Sequence, residues 1–473
     1  MMGRSWGKRV NPVLTSIVGT MATDPGSYNS QAIALRASGR LDDAIALFRE
    51  AVAAYPRIAA LKVNLALALD ERGDADAALA AYAAARAADP RELSTYAGEG
   101  QIHLRRGDIE AATRSYAGML DVDPAHFLAH QALYELEQLR GNLPAALEHQ
   151  RFVLERQRIF SSIAPHETRR LLALYAPGDL QTNVPLDFLI DPQTTTLHKL
   201  YITGPEMPAA AALPAHDIVM NAIAESAHAT GALALAGLFL RGQTLPVLND
   251  PVDVFKTQRA TIVNVLADLD AIVPQTVMRT RAELASAAPA LPVLIRPLDS
   301  HAGHELEKLE RPEDLGAYLE RTRGDHFFLS TFVDFKRPDG FYRKYRIIFV
   351  DGVPYPYHLA ISPRWMIHYY NAENASNGWM RDEEAVFLES FEQVFGPELQ
   401  RVLRDLAGRI GLDYFGIDCA IAPDGRLLLF EADAAMLVHL NDPVDVYPAK
   451  HRTVPRIFRA FERLLDERIA RSR

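Results

Sequence analysis

The chain has 473 residues, of which 49% are hydrophobic and 23% charged, an ordinary globular composition with room for two or three domains. Its net charge of −10 argues against broad nucleic-acid binding. The one cysteine, Cys419, excludes an intramolecular disulfide and a multi-cysteine zinc site, and no run of about eighteen apolar residues occurs, so no spanning helix and no membrane partner are expected.

At the N-terminus, Arg4, Lys8 and Arg9 precede a mildly apolar stretch at residues 12–22. This loosely resembles a signal peptide, but Thr15, Ser16, Gly19 and Thr20 interrupt it and no small-x-small cleavage site stands out. Residues 1–24 therefore read as a disordered leader, and the protein as cytoplasmic.

A strict period follows. Gly39, Gly73, Gly107 and Gly141 stand 34 residues apart. Each is followed at a fixed offset by Ala44, Ala78, Ala112 and Ala146, then by Phe48, Tyr82, Tyr116 and Gln150, then by Pro56, Pro90, Pro124 and Arg158. The glycine permits a turn between two helices, the alanine lets them approach, the aromatic fills the gap to the next unit, and the proline ends it. The pattern resembles the tetratricopeptide repeat, a helix–turn–helix unit of that length. Four repeats are assigned to residues 25–170, the fourth departing at Gln150 and Arg158 as a terminal repeat does. The resemblance implies an all-α solenoid whose groove binds a peptide or protein partner.

Residues 171–194, with Pro177, Pro185 and Pro192, read as a linker. Residues 195–250 then read as a small α/β domain, with strands at 197–202 and 246–249 and a helix-like pattern at 217–230. In the remainder, 251–473, helical patterns are expected at 254–269, 281–288, 387–410 and 453–469. Strands are expected at 292–297, ending near Arg296, and at 326–333. An Asp351-Gly352 turn predicts a hairpin from 343–350 to 353–361.

Residues 416–433 carry the most chemistry. Asp424-Gly425 between apolar runs predicts a two-residue hairpin turn. That turn sets Asp418 opposite Glu431, with Asp433 two residues on and on the same face, among Ala420, Ala422, Leu427 and Leu429. Three carboxylates on an apolar face repel one another unless cations neutralise them, and clustered oxygen ligands suit Mg²⁺. The plainer reading is a hairpin whose acids reach water. Spacing alone leaves both open. Cys419, inside the strand, reads as a buried inert thiol.

A strand ending in a cation, a loop with one glycine (298–304), an apolar hinge strand, an arginine-bearing hairpin and a paired-carboxylate hairpin occur in this order. The series resembles the ATP-grasp fold, in which two α+β lobes close on ATP. The resemblance implies Asp418 and Glu431 as Mg²⁺ ligands, with Asp433 where the family usually has asparagine. It implies Arg346, beside Lys344, as a phosphate or acyl-phosphate contact, and Arg296 as a phosphate contact where the family normally has lysine. His301 and His304 fall in the phosphate loop. Ser330, Thr331 and Val333 fall in the adenine hinge, and Asp334 where it would take the ribose. Lys256 or Arg259 are further phosphate candidates, for which a solvated helix face is the alternative. His358, Arg364, His368 and Asn371 are placed on the acceptor side, Arg364 stabilising an acyl phosphate; Trp365, Tyr369 and Tyr370 nearby read as core.

Taken together, the resemblance implies a multidomain protein, an all-α tetratricopeptide solenoid followed by an α+β ATP-grasp fold. Its function would be ATP- and Mg²⁺-dependent ligation of a carboxylate to an amine through an acyl phosphate, on a peptide or protein recruited by the repeats. The alternatives are a degenerate nucleotide-binding scaffold and a phosphotransferase.

Overall fold

The structure, a computed structural model, describes residues 24–226, 228–298, 303–367 and 373–472. It divides after Val153 into two compact units. The expected leader, apart from Asp24, lies outside the described residues, as do His301, His368, Tyr369, Tyr370 and Asn371.

In the first unit, α1 (Pro25–Ala37), α2 (Leu41–Ala54), α3 (Ala59–Glu71), α4 (Ala75–Ala88), α5 (Leu93–Arg105), α6 (Ile109–Val122), α7 (Phe127–Leu139) and α8 (Leu143–Leu154) form four antiparallel pairs. The first helix is well started: Asp24 accepts from the Ser27 N–H at 3.0 Å, and Pro25 occupies the first position. The repeat glycines have φ between 73° and 92°, the left-handed turn that a Cβ would strain. Ala44, Ala78, Ala112 and Ala146 are fully buried, and Phe48, Tyr82, Tyr116 and Gln150 nearly so.

The second unit holds three sheets. The first contains β1 (Ile159–Ser162), β2 (Arg169–Tyr175), β3 (Thr195–Tyr201), β4 (Ile218–Asn221) and β5 (Val247–Leu248), in the order β1-β3-β2-β4-β5. Only β1 runs antiparallel to its neighbour. This corrects two expectations. The stretch read as a linker carries most of β2, whose Leu171, Leu172, Ala173 and Leu174 are fully buried. The helix-like pattern at 217–230 opens with β4, and its helix, α9 (Thr230–Leu240), starts only at its end. A parallel strand covered on both faces is a continuous apolar run, which period alone does not separate from a buried helix.

After the short α10 (Pro251–Val254) and α11 (Ile262–Val265) come β6 (Ala271–Ile272), β7 (Thr276–Thr280), α12 (Arg281–Ser286), β8 (Val293–Pro297), β9 (Glu307–Leu309), α13 (Pro312–Arg321) and β10 (His326–Thr331). The second sheet, β7-β10-β8-β9, packs its own core of Ile295, Phe327, Leu329, Tyr318 and Leu284. The third runs β12-β11-β13-β14-β6, from β11 (Tyr342–Val350), β12 (Val353–Ser362), β13 (Tyr414–Ile421) and β14 (Leu427–Asp433). On one of its faces Ile347, Phe349, Phe415 and Ile417 join a core with α14 (Gly378–Glu389) and α15 (Phe391–Ile410), the latter bent at Gly396-Pro397. On the other, Ile348, Val350 and Tyr414 pack with α17 (Pro455–Ser472), which follows α16 (Pro448–Thr453).

Candidate functional site

The carboxylate hairpin pairs as expected at its far end and differently at its turn. Asp418 faces Glu431, and Asp433 faces Gly416. At the tip, however, the Ala422 N–H donates to the Arg426 carbonyl and the Gly425 N–H to the Ala422 carbonyl. The loop is therefore three residues, 423–425, with Gly425 at φ 90°. A three-residue loop shifts the register by one, so Ala420 faces Leu428 and Cys419 faces Leu429. A bulge between Asp418 and Cys419 absorbs the shift and restores the carboxylate pairing. The apolar neighbours on the carboxylate face are thus Ala420, Ala422 and Leu428, while Leu427 and Leu429 join the opposite core with Cys419.

Across the sheet, His358 on β12, Arg346 on β11, Asp418 on β13 and Glu431 on β14 stand in one row. Asp418 is 1% exposed. Its Oδ1 accepts from Arg346 Nε at 2.7 Å, and its Oδ2 from Arg346 Nη2 at 2.9 Å and Lys344 Nζ at 2.8 Å. Burial alone would raise this carboxyl; the Arg346 and Lys344 charges outweigh it and hold the group far below the ordinary range. Glu431 Oε2 accepts from Arg259 Nη2 at 2.5 Å, and against burial that charge, with those of Lys344 and Arg296, keeps it low. Arg296, on β8 of the second sheet, is 8% exposed; burial and the Arg259 charge pull its guanidinium down to about 10, still protonated at neutral pH. Burial pushes Asp433 up to about 6, although its Oδ1 accepts the Ala435 N–H at 2.7 Å. His358 is held neutral by burial and by the Lys450 and Arg346 charges.

The row brings together Arg346, Asp418 and Glu431, Lys344 reaches Asp418 from two residues along β11, and Arg296 is within electrostatic reach of Glu431 and Arg259. Arg259 meets the hairpin, whereas Lys256 pairs with Asp253 and caps the end of α15 through the carbonyls of Arg409 and Ile410. His304 stands 78% exposed beside Glu305. Arg364 is exposed beyond the end of β12, at least four residues past the His358 row, or about 13 Å at strand rise. Ser330 Oγ bonds Thr276 Oγ1 at 2.8 Å, Thr331 is exposed, and Asp334 accepts the Lys336 N–H. Val333, like Ile272, Phe430 and Trp365, packs against the buried cluster of Phe335, Tyr342, Ala360, Ile367, Ala420, Ala422 and Leu428.

Sequence reasoning missed a second buried group. Lys450 Nζ lies 3.1 Å from Asp442 and 3.6 Å from Glu384, which accepts the Leu359 N–H. Nothing local marks these charges, since α14 and α16 bring them together only in the fold.

The donor set is a poor fit for a resident Mg²⁺. Both oxygens of Asp418 are held by cations, Glu431 by a third, and among the described residues no group of three His, Cys, Asp or Glu side chains is arranged to hold a metal ion. The cations present neutralise the acids that a dication would need.

A tetratricopeptide repeat family model matches residues 35–98, and the N-terminal region carries such repeats. Similar solved structures include MamA, at 19% identity over 28% of this chain and 72% of that one, with a TM-score of 0.26. The first TPR of Spaghetti (RPAP3) bound to HSP90 peptide SRMEEVD gives 20% over 26% and 99%, with a TM-score of 0.24. A tetratricopeptide repeat protein from Parabacteroides merdae gives 16% over 30% and 55%, with a TM-score of 0.26. Comparison with curated proteins gives no match. The chain is a helical repeat solenoid followed by a mixed, sheet-containing unit. Among the described residues no helix is long and apolar enough to cross a membrane.

Proposed function

We propose that the sheet-containing unit binds ATP in an ATP-grasp manner and ligates a carboxylate to an amine, on a peptide or protein that the repeats recruit. Tetratricopeptide repeats generally mediate protein–protein interaction. One observation supports the nucleotide reading above others: Arg296 from the second sheet and Lys344 and Arg346 from the third converge, with Arg259, on the Asp418–Glu431 pair. Cations gathered from two lobes suit a polyphosphate, since guanidinium binds phosphate bidentately and stays charged.

On this reading Val333 and the backbone of Ser330 and Thr331 hold adenine, and Asp334 reaches the ribose. A substrate carboxylate oxygen attacks the γ-phosphorus, the bond to the β-phosphate oxygen breaks, and ADP leaves with the old bonding pair. The amine then adds to the acyl carbon and loses a proton as phosphate departs. Arg296 and Arg346 offset the charge that develops on the phosphoryl oxygens.

A second reading is nucleotide binding without turnover. It is favoured by the occupation of both Asp418 oxygens by Lys344 and Arg346.

Calorimetry with ATP and Mg²⁺ on the whole chain, beside Arg259→Met, tests the proposal. Binding by the native chain, weakened in the variant, supports it; no binding by the native chain rejects both readings. ADP release driven by a peptide carboxylate with an amine then selects the ligase. Binding with no ADP release across peptide libraries selects the second reading.

A further inference from the structure

We propose that a cavity on the face of the third sheet opposite the Asp418 row binds a small organic monocarboxylate, at a site separate from the one described above.

Side chains alternate along β11, so Arg343 and Tyr345 lie on the face opposite Lys344 and Arg346. On that face Tyr345 and Ile347 join the core shared with α14 and α15. Beside this core is a cavity of about 430 Å³, a size usual for small-ligand sites. Val394 and Ile421, partly buried against the same core, give it an apolar wall. Its polar groups come from Arg337 and Asp339 in the loop before β11, from Arg343 and Tyr345 on β11, and from Glu383 on α14.

Two of these groups are uncommitted. Tyr345 is 6% exposed, and its ring is fixed against Phe387 and Phe395, with centroids 5.0 and 5.3 Å away. Its hydroxyl has no hydrogen-bond partner among the described residues and is not one of their sealed polar atoms, so it opens on the cavity that Tyr345 lines. Burial pushes this phenol up, so it keeps its proton and can donate. Arg337 is half-buried, and its guanidinium forms no hydrogen bond or ion pair among the described residues. Arg343, by contrast, is held between two acids. It donates to both oxygens of Asp339, at 3.2 and 2.7 Å, and to both of Glu383, at 2.9 Å to Oε2.

Charge balance sets the ligand class. Arg343 with Asp339 and Glu383 leaves one net negative charge, which Arg337 offsets from the cavity wall. One negative charge on a ligand beside Arg337 is favourable, while a second would face two carboxylates in the same space. A carboxylate is planar and meets a guanidinium bidentately, and the Tyr345 O–H supplies a further donor. Val394 and Ile421 take an apolar body. An amine finds the acids already held by Arg343, and Arg337 repels it.

The test is saturation-transfer NMR on the whole chain with phenylacetate, benzoate and hexanoate, each beside its amine counterpart (phenethylamine, benzylamine and hexylamine). The carboxylates are expected to bind and the amines not. Arg337→Gln is expected to weaken carboxylate binding roughly tenfold or more, the loss of a charge-assisted contact, and Tyr345→Phe, which keeps the ring, about three- to tenfold. Thermal melting reports the folding of each variant. The ligation proposed above also takes a carboxylate, so Arg259→Met serves as the control for that site, and binding is expected to survive it. No carboxylate bound, amines bound equally well, or binding unchanged in either folded cavity variant overturns the proposal. Binding lost in a folded Arg259→Met overturns it too, and places the carboxylate at the row instead. Carboxylate binding by a chain that binds no ATP upholds the cavity and removes only the nucleotide reading.

Discussion

His130 on α7 and His149 on α8 meet through their Nδ1 atoms at 2.9 Å, and His130 Nε2 lies 3.0 Å from the Pro124 carbonyl. A carbonyl only accepts, so His130 carries its proton on Nε2, its Nδ1 accepts, and His149 donates from Nδ1. Burial and the His130 ring hold the His149 pKa below its ordinary 6.5, while Glu137 and Glu148 partly oppose the shift. A depressed histidine means that the unfolded chain binds the proton more tightly. Its contribution to stability is therefore present above the unfolded value and lost as pH falls through the folded one. The native chain is expected to lose melting temperature between pH 7.5 and 5, and His149→Gln to lose less; parallel slopes would remove the argument. At this scale the sequence was informative where chemistry repeats along a strand. Asp418 faces Glu431 as the sequence predicts only because the bulge beside Asp418 offsets the longer loop. The Lys344 and Arg346 contacts to Asp418 were not legible, because the pairing of β11 with β13 joins segments that the turn signals do not connect.

Elements were legible where the pattern is local. The hairpin is an instructive partial success. Asp424-Gly425 did mark the turn, but Pro423 belongs to the loop and the register shifts by one, and only the bulge beside Asp418 returns the carboxylates to one row. Neither correction has a sequence signal of its own. The edge strand β12 shows a similar limit. Its Leu359 carbonyl and Ile361 N–H are met by Asn374, and its Leu359 N–H by Glu384, so side chains blunt the edge against an added strand. In the repeats, close approach decides residue choice between helices. A Cβ on Gly98 would fall 2.2 Å from Cζ of Tyr82, a ring that is 1% exposed. The ring cannot yield without disturbing the packing between α4 and α5. Gly98→Ala is expected to destabilise the chain by about 1–3 kcal/mol, the usual cost of overpacking, measured by urea unfolding; a neutral effect would show that Tyr82 has room to move.

The two units of the molecule differ in how their contacts are distributed along the chain, and that difference explains what could be read. In the repeat unit each helix packs on neighbours a few tens of residues away, so a period of 34 encodes the whole solenoid. Three ion pairs repeat with it: Arg72–Asp42, Arg106–Asp76 and Arg140–Glu110, at 3.0, 2.7 and 2.8 Å, one across each junction between repeats. Ser38 and Pro144 occupy the positions that would extend the series at either end, so the pairs do not continue there. Such exposed pairs contribute little energy. In the second unit Arg259, Arg296, Arg346, Asp418 and Glu431 come from five separate segments, and only the folded sheets join them. The repeat unit also owns its cores: one joins Phe48, Leu69, Tyr82 and Ile102, the other Tyr116, Met119, Leu133 and Leu136, and no residue of either lies past 153. A repeat array with cores of its own has contacts from which it can fold by itself. A fragment of residues 24–158, keeping Asp24 as the cap of α1, is therefore expected to be helical by circular dichroism and to melt in one cooperative transition. A fragment that stays unfolded, or melts without cooperativity while the whole chain does not, would show that these cores are insufficient and that the remaining residues supply part of the solenoid's stability.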